Sequence, residues 1–558
     1  MLIGIDVGGT FTDGVLFKES SIIAAVKRPT EQSNLKNSLL EVLDELLKES
    51  DGSRISRIVL STTLVTNILA TGRGERTALI LIPGHGLPHT SYDLCPDIYF
   101  LKGSIDFRGR VIEMPDKKEI TNTLEAIRTS GIKKVAVVGK FSNRNNSHEK
   151  MIQGICQDRF PELSISLGCE VAGKLNFPRR AATTYYTAMT VDEWNNFADE
   201  IEQALRERNI TAEVHILKAD GGTVPIDMSR NKPCETIFSG PAASTMGAVA
   251  LTRDNLNSVV LDIGGTTTDI SLIIDGQPLY ASKGARINDK YTHVNAFAVK
   301  SVPLGGDSVI GFNNKITVRP HREGAAACFG GDSPTVTDAF NCLYNLQIGQ
   351  QELSLAKLKE FADQNNLDFN SVCSSVVGQV VEQLEHTIEK MFLEWENEPA
   401  YKVWEIVNQR KFRLDRIIGI GAAAGAIIPV LGERIKVDHY LHDYSPVANA
   451  LGACVVRPTL SVELHVDTQN KSYTLSPGSL SGNLNKRDFQ LSDAKILALD
   501  YLIKLGKERG MEEYIDESDF YLEEQFNLIR GWSRVGKLFD IGIQVSPGFI
   551  SEYKGVQI

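Results

Sequence analysis

The chain has 558 residues, 42% hydrophobic and 23% charged, a globular composition too long for one core, so three or four domains are expected. Its formal net charge of -11, with lysines and arginines dispersed, excludes a broad basic face for nucleic acid or an anionic membrane. No apolar run approaches the roughly 20 residues that cross a bilayer, and the N-terminus enters Leu2-Ile3-Gly4-Ile5-Asp6 without a basic leader, so the protein reads as cytoplasmic.

Taken in chain order, Leu2 to Phe17 predicts two apolar strands joined by a Gly-Gly-Thr turn. A helix follows, with Ser33 as its expected cap and Leu35, Leu39, Val42, Leu43, Leu46 and Leu47 as its apolar stripe. Residues 58 to 61 and 77 to 82 read as buried strands, and the Gly-, Pro- and His-containing stretch near 83–118 as an irregular insertion. A strand at Lys133 to Val138, a helix from Glu149 and a long helix from Asn176 to Glu207 complete an alternating α/β pattern. A second region opens at Val259-Val260-Leu261. It carries a helical insertion near 354–396, with a stripe at Val381, Leu384, Ile388, Met391 and Trp395, and a glycine-rich end from Ile417. After Pro458 come strands at Ser461 to Val466, a helix at Ser492 to Lys507 and a final hairpin near Phe526 to Val545. The eight cysteines lie singly and read as buried thiols rather than zinc ligands.

The first strand pair recurs. Asp6-Val7-Gly8-Gly9-Thr10-Phe11-Thr12-Asp13 matches Asp262-Ile263-Gly264-Gly265-Thr266-Thr267-Thr268-Asp269 with every aligned pair 256 residues apart. One such turn is an ordinary hairpin feature, but two at constant offset mark a duplicated phosphate-binding device. Glycines let backbone amides approach phosphate oxygens without a Cβ in the way, and threonine hydroxyls add donors. Aspartates beside a triphosphate would be repelled unless a cation intervened, so Asp6 and Asp262 are expected to hold Mg2+ through water.

The arrangement resembles the actin, sugar kinase and heat-shock ATPase superfamily. Ser239-Gly240-Pro241-Ala242-Ala243-Ser244 looks like its first connecting helix and Asn449-Ala450-Leu451-Gly452-Ala453 like its second. Gly419-Ile420-Gly421-Ala422-Ala423-Ala424-Gly425 looks like the adenosine loop and Leu304-Gly305-Gly306-Asp307 like a loop near the phosphates. The resemblance implies an α/β fold of two duplicated actin-like (ribonuclease H-like) ATPase lobes with an interlobe nucleotide cleft, plus a small C-terminal α+β domain. The lobes are expected over 1–250 and 251–458 and the C-terminal domain over 459–558.

Within that superfamily the opening Ile3-Gly4-Ile5-Asp6-Val7-Gly8-Gly9-Thr10-Phe11-Thr12-Asp13 is similar to the hydantoinase A and 5-oxoprolinase family. So are Thr62-Thr63-Leu64-Val65-Thr66-Asn67, Asp220-Gly221-Gly222 and Pro334-Thr335-Val336-Thr337-Asp338-Ala339, with weaker landmarks at Phe141-Ser142, His148-Glu149, Arg180 and Thr183-Thr184. Two segments depart from the family pattern: Leu60-Ser61 stand where His-Gly is usual, and Ala325-Ala326-Ala327-Cys328-Phe329 replaces Pro-Gly-Pro-Ala-Cys-Tyr.

The resemblance implies an ATP-dependent hydrolase that opens a cyclic amide, a hydantoin or 5-oxoproline, by phosphorylating its carbonyl oxygen. It also implies a second, hydantoinase B-type subunit and an oligomeric enzyme. Expected catalytic residues are Asp6, Asp13, Asp262 and Asp269, although Asp13 can equally cap its own hairpin. Nucleotide contacts fall to Gly8, Gly9, Thr10, Thr12, Gly264, Gly265, Thr266, Thr267, Thr268, Gly305, Gly306, Gly421 and Ala422. Thr62, Thr63, Asn67, Asp307 and Asp338 are candidate substrate contacts, with Thr62, Thr63, Asn67 and Asp338 equally readable as helix-capping groups. The same clamp would also serve a chaperone-like regulatory ATPase, a small-molecule kinase or an ATP-dependent carboxylase subunit.

Overall fold

The computed structural model describes residues 1–31, 33–398 and 412–556. Leu2–Val7 and Phe11–Lys18 pair antiparallel with Asp6 opposite Asp13, and Ser21–Pro29 continues the meander. On its other side Leu2–Val7 runs parallel to Arg57–Thr62, which is parallel to Glu213–Leu217, and Thr223–Pro225 ends this six-stranded sheet. Successive strand side chains face opposite ways. Ile3, Ile5 and Val7 therefore enter one core, while Gly4 and Asp6 face a helix on the other side.

The helix Leu35–Leu46 packs Leu39, Val42, Leu43 and Leu46 on this sheet. Its cap is Asn34, whose side chain accepts from the Asn37 amide, and not Ser33, whose hydroxyl turns back to Glu31. Thr77–Ile82 and Lys134–Gly139 do not join the first sheet. With Ile98–Phe100 and Ser164–Leu167 they form a separate four-stranded parallel sheet. The 83–118 insertion is thus not wholly irregular. It supplies the edge strand Ile98–Phe100 and the small ribbon of Ser104–Ile105 with Val111–Glu113, each too short to show periodicity in sequence.

The second large sheet repeats the first around its hairpin. Ser258–Ile263 and Thr268–Ile274 pair with Asp262 opposite Asp269, Val299–Val302 lies on the outer side, and Arg416–Ile420 runs parallel to Ser258–Ile263. The register is the one found between Leu2–Val7 and Phe11–Lys18, so the internal sequence repeat is also a repeat of strand pairing. The predicted helical insertion consists of two helices, Gln351–Gln364 and Phe369–Glu396, and the latter buries Val381, Leu384, Ile388 and Met391 over this sheet.

The last region has its own core. Leu480–Asn483, Ser472–Ser476, Leu460–Asp467, Ser533–Val545 and Ser518–Arg530 form an antiparallel sheet, in that order, against the helix Leu491–Glu508. The final hairpin begins at Ser518, earlier than predicted. Among the described residues no helix is long and apolar enough to cross a membrane. All eight cysteines are free, six of them buried.

Candidate active site

The helices Ser239–Thr252 and Ala448–Val455 meet where the two large sheets approach each other. Two glycines allow the contact: a Cβ on Gly247 would stand 2.1 Å from the Ala448 carbonyl oxygen, and one on Gly452 2.2 Å from that of Ala243. This close crossing sets Asn449 between the repeated hairpins. Its Nδ2 lies 3.3 Å from Asp6 Oδ2 and 3.1 Å from Asp262 Oδ2, so a single amide joins the equivalent carboxylates of the two copies. Ser244 donates to Asp262 Oδ2 from the other helix, and Ser61, the strand neighbour of Asp6, donates to Ser239 Oγ.

The aspartates form one electrostatic cluster. Burial pushes Asp6 up to about 6, opposed by Ser61 and Asn449 and reinforced by the Asp262 charge. Asp269 is raised to about 6 by burial and by Asp262. Burial outweighs the Lys27 ammonium and holds Asp13 at about 7. Asp6 Oδ1 is buried with no hydrogen-bond partner among the described residues. An orphaned carboxylate oxygen in a group of like charges fits a divalent cation, which would satisfy the oxygen and relieve the repulsion.

The hairpin turns are built alike, closed by Gly8 N to Phe11 O at 3.1 Å and Gly264 N to Thr267 O at 3.0 Å. The Thr10 and Thr266 amides make no hydrogen bond to another described residue. Thr12 and Thr268 do not present hydroxyls to a ligand, contrary to the sequence expectation. Both are fully buried, with Thr12 bonded to the Thr30 hydroxyl and Thr268 to the Leu304 carbonyl. Gly306 and Asp307 bond through their amides to Gly264 O and Gly265 O, which sets the 304–307 loop against the second hairpin. A Cβ on Gly305 would also collide with that turn, at 2.5 Å from Gly265 O. Asp307 forms an ion pair with Arg322 at 3.0 Å. Gly421 closes on Asp262 from the end of Arg416–Ile420, and Ala422 beside it is exposed.

Asp13 carries an ion pair of 2.6 Å to Lys27, so it is a paired carboxylate rather than a free one. Thr62 is buried and accepts from the Leu64 amide, which makes it a helix-starting group. Thr63 donates to Val7 O at the first hairpin, and Asn67 reaches back to Thr63. Asp338 is no substrate contact. It is fully buried and accepts from Thr335 N and Oγ1, Ala327 N, Cys328 N and Ser354 Oγ, so it caps its helix and braces the unusual 325–329 segment. Lys27, Ser61, Ser244 and the side chain of Asn449 were not picked out as site residues from the sequence. Lys27 is the one with a legible signal, since it stands directly across the strand pair from Asp13.

Two family profiles match the chain, one described as hydantoinase/oxoprolinase over residues 180–461 and one as the hydantoinase/oxoprolinase N-terminal region over residues 2–160. The chain belongs to the hydantoinase/oxoprolinase family. Caprolactamase subunit alpha of Pseudomonas jessenii is 24% identical over 489 residues, covering 78% of this chain and 67% of that subunit. The 5-oxoprolinase of Saccharomyces cerevisiae is 24% identical over 542 residues, covering 81% of this chain but only 40% of the yeast protein. The acetophenone carboxylase gamma subunit of Aromatoleum aromaticum is 25% identical, covering 60% of this chain and 52% of that subunit. This hydantoinase/oxoprolinase chain therefore spans between about two fifths and two thirds of the length of these relatives.

Two solved structures share the fold. Nucleotide-free acetone carboxylase superposes with a TM-score of 0.72 at 15% identity, covering 100% of this chain and 88% of that one. The ATP-dependent caprolactamase from Pseudomonas jessenii superposes with a TM-score of 0.70 at 17% identity, covering 97% and 87%. The weaker family landmarks are structural in this hydantoinase/oxoprolinase chain. Glu149 accepts from Gly139 N and Cys169 N, both at 2.8 Å, and Arg180 donates to Gly139 O and Lys174 O.

Proposed function

We propose that this chain is the ATP-using component of an enzyme that opens a cyclic amide. The two large sheets act as duplicated actin-like lobes over 1–250 and 251–458, with the nucleotide between them and residues 459–558 as a C-terminal domain. The observation that carries this reading is the Asn449 amide bridging Asp6 and Asp262, because it brings the two repeated hairpins to one point. The Thr10 and Thr266 amides, with Gly9, Gly265 and Thr267, would bind phosphates, and the turn at Gly421 and Ala422 would border the nucleoside. Asp6 and Asp262 would hold Mg2+, which when bound neutralises phosphate charge.

A lactam is a poor electrophile because its nitrogen lone pair is delocalised into the carbonyl. Its carbonyl oxygen attacks the γ-phosphorus of ATP, the bridging P–O bond breaks, and ADP leaves with that electron pair. Water then adds to the activated carbon, the ring C–N bond breaks with nitrogen leaving as the amine, and hydrolysis of the resulting acyl phosphate yields a carboxylate and inorganic phosphate. The chain's part is to fix the donor phosphate, exclude water from it and place the Asp6 and Asp262 side chains beside it. Relatives named as subunits support a separate partner chain of hydantoinase B type for the hydrolytic half.

The test measures ADP release by the chain, alone and with any subunit that copurifies with it, in the presence of 5-oxoproline, a hydantoin, caprolactam, small ketones or no addition. Stimulation by a cyclic amide together with ring-opened product is expected. Turnover indifferent to every cyclic amide would sink the proposal.

A further inference from the structure

The Asp220-Gly221-Gly222 element takes no part around Asp6 and Asp262. It borders a cavity of about 170 Å³ between the edge of the first sheet, the 293–295 segment and the C-terminal domain. Neither Asn449, Ser244 nor any aspartate of the nucleotide site lines this cavity.

Four cationic side chains reach it from separate elements: Lys174, Lys218, Lys232 and, from the end of the helix Leu491–Glu508, Arg509. Lys232 is within electrostatic range of the other three as well as of Glu235, and burial, together with the repulsion of those cations, depresses its ammonium. The carboxylates on the wall do not cancel the cluster. Asp220 is already engaged by Lys218 Nζ, the Gly222 amide and Thr459 Oγ1, and Glu463 accepts from Tyr521. His293 contributes no charge, because burial and neighbouring cations push it down to about 3.

Arg509, by contrast, makes no side-chain hydrogen bond and no ion pair with another described residue, and Lys232 has only a loose 3.9 Å contact with Glu235. Four cations against Asp220, Glu235 and Glu463 leave an excess of a single positive charge. The rest of the wall is mixed, with Val224, Met228 and Leu460 beside Thr187, Asn295 and Ser461. A planar guanidinium with unused donors matches a carboxylate fork, the single excess charge matches a monoanion, and the Val224, Met228 and Leu460 part of the wall matches a hydrocarbon body.

We propose that this cavity is a second small-molecule site that binds an organic monocarboxylate with an apolar body, its carboxylate received by Arg509 and Lys232. This goes beyond the phosphoryl-transfer reading and does not depend on it.

Isothermal titration of the full chain with hexanoate, hexan-1-ol and inorganic phosphate tests the site. Saturable binding of hexanoate is expected, with no binding of the neutral alcohol and weaker binding of phosphate. Arg509→Gln and, independently, Lys232→Met should each weaken hexanoate by about tenfold or more, while Asp262→Asn should leave it unchanged. Two separate variants keep the test decisive if one fails to fold. Absence of hexanoate binding to the unmodified chain, equal binding of hexan-1-ol, tighter binding of phosphate, or unchanged affinity in the folded variants would each overturn the proposal.

Discussion

A carboxyl group buried with too few donors keeps its proton to higher pH, and Asp6 is such a group, raised to about 6 with one oxygen unpartnered. A cation at Asp6 must displace that proton. The sign follows directly: above about pH 6 the carboxylate is ionised and receives Mg2+ without competition, and below it protonation opposes the metal. The apparent Mg2+ affinity for nucleotide-supported binding should therefore be flat above about pH 7 and fall by up to about tenfold per unit below pH 6. Titrations of Mg2+ dependence at pH 5, 6, 7 and 8 check this. An affinity that does not change across that range would remove Asp6 from the metal site. Lys27 moderates the same cluster at Asp13, and Ser301 occupies the corresponding position opposite Asp269 in the second copy. The two halves of the site are thus equivalent in backbone and different in charge.

At the scale of elements, the turn after Arg416–Ile420 decides how closely the second large sheet surrounds Asp262. Gly421 has φ +87°, and a Cβ there would stand 2.6 Å from Asp262 Oδ1. Gly421→Ala therefore meets backbone strain and a collision with the site. It should destabilise the fold by about 1–3 kcal/mol and weaken nucleotide binding together, read from the urea midpoint and from nucleotide titration. Loss of neither would show that the turn relaxes freely.

The strands and hairpins of the site are legible from sequence because alternation and paired glycines are local signals, and the constant spacing of the two copies matches their repeated strand pairing. Thr12 and Thr268 were misread because a hydroxyl's partner depends on the strand or loop beside it, here Thr30 and Leu304. Asn449 was placed on the right helix, but its role depends on a contact with Asp6 across 443 residues of chain, which no local pattern encodes. Asp338 carried a capping signal all along, and the structure selects it through the amides of Ala327 and Cys328.

Across the whole molecule, contacts between distant segments surround the Asp6–Asp262 pair. Lys27 of the first sheet reaches Pro446 O at 2.9 Å, just before the helix that carries Asn449. The C-terminal sheet is tied to the 83–148 region by Arg108 with Asp467 and Arg144 with Asp540, all four side chains largely buried. A ligand that joins the two hairpins would act on this assembly as a whole, stabilising the folded chain more as its concentration rises above its Kd. The most direct measurement is equilibrium binding of ATP with and without Mg2+ to the unmodified chain and to Asp6→Asn and Asp262→Asn. Mg2+ should tighten ATP binding to the unmodified chain and lose that effect in each variant while the fold is retained. Mg2+-dependent binding that survives both substitutions unchanged would contradict a nucleotide site shared between the two hairpins.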